Sequence, residues 1–152
     1  MISIEKPTVS DAEQIKKIVD YFAKKQDILP RSIEDIVERI REFVVAKDNG
    51  IVIGTSSLRL YYPDLGEIRT ITVYDKYQHK HIGRMLVDFD INEAKKLNIK
   101  RLFALTFRKK FFESMGFKFI DKKELPLKKI WEDCIKCPFF PDCKEEAMII
   151  NL

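Results

Sequence analysis

The stretch from residue 67 to 97 constrains the chain most, because its hydrophobic period changes once, within a few residues. Ile68, Ile71 and Val73 stand with Thr70 and Thr72 between them, the make-up of a mostly buried strand over 67–73. From Gly83 the repeat is helical. Met85, Leu86, Phe89, Ala94 and Leu97 fall on one face, and Arg84, Asp88, Asp90, Glu93, Lys95 and Lys96 are left for water. The joint is Gln78-His79-Lys80-His81-Ile82-Gly83-Arg84. A loop that runs into a helix start offers unpaired backbone N–H groups at the positive end of the helix dipole. Such a place takes anions, phosphate above all. Lys80 and Arg84 deepen its positive potential.

At 152 residues the chain is expected to form one compact domain, residues 1–152. A hydrophobic share of 45% is enough for a real core and argues against disorder. The net charge of +4 suits a small polyanionic ligand. Basic residues are interspersed with acids and form no long run, so a nucleic-acid surface is the weaker reading. Residues 1–5 lack the basic start and apolar run of a leader, and no apolar run approaches a membrane span. A cytoplasmic protein with no membrane partner is therefore expected. Three cysteines argue against a disulfide framework in that compartment.

The rest of the chain alternates strands and helices. A first strand over 1–6 is followed by the capping-box pattern Ser10-Asp11-Ala12-Glu13 and a helix to about residue 24. Pro30 breaks it, and Ser32 opens a second helix with Ile33, Ile36, Val37 and Ile40 inward. A strand over 43–46 meets Asn49-Gly50, a hairpin turn, and returns over 51–60, where Gly54 suggests a bulge. After the central helix come a strand over 101–106, a short helix over 109–115 stopped by Gly116, and strands over 117–120 and 147–151. The order βααβββαβαββ implies an α/β fold with a mixed sheet and helices on both faces.

The spacing Gln78-x-x-His81-x-Gly83 resembles the acetyl-CoA pyrophosphate loop of the GNAT N-acetyltransferases, Gln/Arg-x-x-Gly-x-Gly/Ala, and the element order is similar to theirs. The family has glycine where His81 stands, and often where His79 stands. Further stretches resemble the short bacterial N-acetylglutamate synthases of that family: Leu29-Pro30-Arg31-Ser32, Glu67-Ile68-Arg69, Phe103-Ala104-Leu105-Thr106, Phe111-Phe112-Glu113-x-x-Gly116-Phe117, and the cysteine-bearing loop at about 125–146. The resemblance implies the acyl-CoA N-acyltransferase fold, with strands 67–73 and 101–106 diverging around the cofactor arm. It also implies transfer of acetyl from acetyl-CoA to the α-amino group of L-glutamate, in arginine biosynthesis. Periodicity and spacing by themselves show the fold and the anion loop, and leave open another small amine as acceptor or a CoA-binding module without catalysis.

Acetyl transfer to an amine needs a base for the ammonium, a donor for the thioester oxygen and a way out for the thiolate. Glu67 is the candidate base, directly or through water, because the family often places a glutamate on this strand; its alternative is a Glu67–Arg69 pair, since residues two apart share a strand face. Backbone N–H groups near Ile71, Thr72 and Val73 are candidate oxyanion donors. Gln78, His79, Lys80, His81, Ile82, Gly83 and Arg84 are expected to hold the cofactor's diphosphate, and Phe111 its arm. Arg69 and Arg31 are candidates for a substrate carboxylate, with a surface role for Arg31 as the alternative. Phe112 stands where many relatives have the Tyr that protonates the thiolate, and it has no proton to give. Cys134-x-x-Cys137 and Cys143 have partial zinc-knuckle spacing but no fourth Cys, and both His lie in the anion loop. The loop is read as structural, without metal, covering the acceptor pocket or forming a homodimer contact.

Overall fold

A computed structural model of the chain describes residues 1–129, 134 and 145–152. The strands are β1 (Ile2–Glu5), β2 (Phe43–Asp48), β3 (Ile51–Tyr62), β4 (Leu65–Val73), β5 (Arg101–Thr106), β6 (Lys118–Phe119) and β7 (Glu146–Asn151). The helices are α1 (Ala12–Lys24), α2 (Ile33–Glu38), α3 (Ile82–Lys96), α4 (Lys109–Ser114) and a short turn of helix, α5 (Leu127–Lys129). The strands form one mixed sheet in the order β1-β2-β3-β4-β5-β7-β6. No described helix is long and apolar enough to cross a membrane.

Local chemistry explains most boundaries. Ser32 Oγ accepts the Asp35 N–H at 3.0 Å and caps α2. Asn49 and Gly50 both take positive φ in the β2–β3 turn, as a tight hairpin requires. The bulge expected in β3 falls at Ile53, because Ala46 pairs with Gly54 and Lys47 with Val52. A Cβ at Gly54 would lie 2.9 Å from the Thr72 carbonyl, so only glycine lets β3 and β4 approach there. Gly116, at φ +97, ends α4, with the Phe117 N–H reaching back to the Phe112 carbonyl at 3.0 Å.

Two sequence expectations are corrected. The N-terminal capping box sits two residues earlier than Ser10: the Asp11 carboxylate accepts the Thr8 N–H at 3.0 Å, and a 3-10 turn, Val9–Asp11, precedes α1. The inner face of α3 is also rotated. Ile82, Leu86, Val87, Asp90 and Ala94 are buried, while Met85 (39%) and Leu97 are exposed. The cause is cover on two sides. Ile82 and Leu86 pack with Val44, Ala46 and Ile53, while Val87 and Ala94 pack with Ile68, Leu102 and Phe112. Burying a side chain such as Leu86 contributes about 2 kcal/mol. Helix α3 therefore holds both sides of the sheet's central gap in one packed unit.

Strands β4 and β5 run parallel, but pair only through Leu65–Arg101, Gly66–Leu102 and Glu67–Phe103. Beyond Glu67 they part. β5 spends its other edge on β7, Arg101 to Thr106 against Asn151 to Glu146. The β5-facing edge of β4 thus has no strand partner from Ile68 onward among the described residues.

Candidate active site

The parting of β4 and β5 opens a crevice of about 630 Å3. β4 forms one wall from Glu67 to Val73, Leu105 and Thr106 of β5 the other. The segment before α2 and the start of α3 close the ends. The structure brings together most of the residues that the sequence proposed: Glu67, Arg69, Ile71, Thr72, Val73, Gln78, His79, His81, Ile82, Gly83, Arg84 and Phe111 all line this space.

The wall on β4 is bulged. Thr55 pairs with Thr72 and Ser57 with Arg69, so Thr70 and Ile71 together face Ser56. Thr70 sits at φ +54, a rare conformation for a β-branched residue. Its surroundings hold it there. The Thr70 carbonyl accepts the Thr55 hydroxyl at 2.7 Å, and Arg31 Nη1 donates to Thr70 Oγ1 at 3.1 Å. The bulge takes Thr70 and Ile71 out of the regular ladder at the place where the strands part, where an oxyanion donor is needed.

The loop between β4 and α3 is tied back by Gln78, whose Nε2 donates to the Val73 carbonyl at 2.9 Å. His79 (φ +63) and His81 (φ +65) both occupy the left-handed region that favours glycine. The loop thus keeps the curvature of a glycine loop although histidine fills the positions. α3 starts at Ile82, so the amides of Ile82, Gly83 and Arg84 have no intrahelical acceptor. A Cβ on Gly83 would meet only the Phe111 ring, at 3.5 Å. These amides, Arg84 and the groove between Gly83 and Phe111 fit a diphosphate and an extended arm. Lys80 lies outside the crevice; its Nζ stands 5.7 Å from the centre of the Tyr77 ring.

Glu67 is 1% exposed. Its carboxylate finds its partners away from its own strand: Tyr61 donates to Oε1 at 2.9 Å, and Lys129 Nζ lies 2.8 Å from Oε2. Lys129, 4% exposed, and Glu145 line the same end of the crevice. The sequence offers Glu145 only as a carboxylate that could complete a metal site beside the cysteines, and gives Lys129 no role, although both flank the cysteine loop that the resemblance marked. Burial pushes the Glu145 carboxyl up, the Lys129 ammonium opposes this, and the Glu67 carboxylate adds to it. Arg31 is neither at the surface nor on the crevice. It is buried, its Nε donates to Asp35 at 2.6 Å, and its guanidinium lies over the Phe43 ring at 4.8 Å. Phe112 is buried in the core against Phe111 and Phe117. Of the cysteine loop only Cys134 is described; Cys137, Cys143 and the reading of this loop lie outside the described residues.

A split sheet with an amide-lined loop beside it is the architecture of acyl-CoA-dependent N-acyltransferases. Residues 11–117 match the acetyltransferase (GNAT) family, and the chain belongs to that family. It is an acetyl-CoA-dependent N-acetyltransferase. An uncharacterised N-acetyltransferase of Chlorobaculum tepidum is 38% identical over 95% of this chain and 92% of its own. The amino-acid acetyltransferase of Mycobacterium tuberculosis is 35% identical over 75% of this chain and 67% of its own. Among solved structures, Rv2747 of M. tuberculosis in complex with CoA and NLQ superposes with a TM-score of 0.83 at 30% identity, over 99% of both chains. N-acetylglutamate synthase of Neisseria gonorrhoeae, complexed with coenzyme A and N-acetyl-glutamate, gives 0.89 at 24% identity. That likeness shows the fold, and this chain spans 35% of the Neisseria one.

Proposed function

We propose that the chain transfers acetyl from acetyl-CoA to the α-amino group of L-glutamate, by direct attack in a ternary complex, as a cytoplasmic step of arginine biosynthesis. The observation that carries this reading is the polarity of the crevice. One end offers helix-start amides and Arg84 to a diphosphate, and elsewhere the lining includes Arg69, the Lys129–Glu67 pair and Glu145. An acceptor with two carboxylates needs cations, and the planar fork of Arg69 suits one of them. Arg31 serves from behind the wall, by holding Thr70. The bulge of β4 presents backbone donors to the thioester oxygen. Binding both reactants in one crevice supplies much of the rate. A thiolate is a good enough leaving group to depart without the proton that Phe112 lacks. The name of the Mycobacterium relative, amino-acid acetyltransferase, supports an amino acid as acceptor.

Thiol release from acetyl-CoA, measured over a panel of amino acids, tests this. L-Glutamate is expected to have the highest kcat/KM. A preference for another amine would retire glutamate, and calorimetric binding of acetyl-CoA with turnover of none would leave a CoA-binding module.

A further inference from the structure

Glu67 is poorly placed to accept a proton. It is 1% exposed, and both its oxygens are engaged, one by the Tyr61 hydroxyl and one by the Lys129 ammonium at 2.8 Å. Both oxygens are thus already occupied by protein partners before any acceptor enters. The same end of the crevice contains a second carboxylate. Glu145 stands just before β7, half-buried, on the crevice wall. Among the described residues it takes part in no hydrogen bond and no ion pair. The charged groups that act on it are Lys129 of α5, Glu67 of β4 and Lys122, in a 3-10 turn over Lys122–Glu124.

We infer that Glu145 is the general base of the transfer, and that Glu67 is a positioning residue which holds Lys129 in place. This rests on the acetyltransfer reading above. Glu145 takes one proton from the acceptor ammonium. The freed amine forms the C–N bond at the thioester carbonyl. The C–S bond breaks with its electron pair on sulfur, and the second nitrogen proton passes through water to the thiolate. Burial already moves the Glu145 carboxyl toward neutral pH, the direction that makes a carboxylate an effective base. Lys129, paired with Glu67, also acts on Glu145 and opposes the upward push of burial and of the Glu67 carboxylate.

The test compares Glu145→Gln and Glu67→Gln with the wild type in kcat/KM against pH. Glu145→Gln is expected to lower kcat about 100-fold or more, to leave KM for acetyl-CoA within about two-fold, and to abolish the acidic limb. Glu145→Asp should restore part of the rate. Glu67→Gln should lose rate while the limb persists. Calorimetric affinity for CoA shows that each variant is folded. Wild-type turnover with an unchanged rate and limb in Glu145→Gln would overturn the role of Glu145 and leave the acetyltransfer reading standing. A wild type that acetylates no amine would overturn both.

Discussion

At the scale of single residues, the chain accepts local cost in two places. His79 and His81 hold positive φ that glycine would adopt freely. The departure from the family's glycines is visible in the sequence, but its consequence is not: a loop could have changed its course, and this one has kept it. The left-handed conformation costs an L-residue about 1 kcal/mol or more, partly offset by the greater freedom of glycine in the unfolded chain. His81→Gly is therefore expected to stabilise the protein by up to about 1 kcal/mol in urea unfolding; a lower midpoint would show that the imidazole makes contacts worth more than the strain. Asp90 is the second case. It sits on α3 at a position the helical repeat assigns to water, yet it is 2% exposed, with the Ser56 hydroxyl 2.5 Å from its Oδ2. Burial pushes its carboxyl up to about 7, against the pull of Ser56 and Lys6. The folded state then holds this proton more tightly than the unfolded chain does. Stability from this group is full below about pH 4, falls as pH rises toward 7, and is flat above, a loss of at most about 4 kcal/mol. Asp90→Asn keeps an acceptor for Ser56 and removes the titration. It should raise the melting temperature at pH 8 by several degrees and little at pH 4; equal effects at both pH values would refute the assignment.

At the scale of elements, the β4–loop–α3 unit was legible because its period changes from strand to helix in the sequence itself. The anion loop was legible for the same reason, since helix-start amides need no particular side chain. Three features were not. The rotation of α3 depends on cover from two sides, which a single-face pattern cannot express. The bulge at Thr70 depends on Arg31 and Thr55, from distant parts of the chain. Lys129 and Glu145 reach the crevice only because α5 sets Lys129 against Glu67 and β7 pairs with β5. Gly83 joins the legible and the tertiary. Its pro-Cβ direction faces the Phe111 ring at 3.5 Å, so alanine fits and a longer side chain must fill the groove between loop and α4. Gly83→Leu is expected to weaken acetyl-CoA at least about ten-fold by calorimetry, with a melting temperature near that of the wild type. Unchanged affinity would mean that the arm of the cofactor runs elsewhere.

At the scale of the whole molecule, the sheet is two sheets sharing three paired positions. β1 to β4 carry α1 and α2 on one side of the gap; β5, β7 and β6 carry α4 on the other; α3 bridges them. A ligand lying in the crevice touches both parts, so its binding free energy adds to their cohesion, by about 2.7 kcal/mol at a hundred-fold excess over Kd. The gain should not be uniform. The amides of residues 68–73 that face β5, and those of residues 104–106 that face β4, have no strand partner among the described residues. They are the ones that a thioester and its arm would cover. Hydrogen exchange with and without acetyl-CoA is therefore expected to slow most at 70–73, at 104–106 and at the start of α3, while β1, β2 and the outer turns of α1 change little. Slowing spread evenly over the chain would indicate general stabilisation from a site elsewhere. Slowing confined to the start of α3 would mean that the diphosphate is held while the thioester stays outside the gap, and direct attack in the crevice would then have to be abandoned.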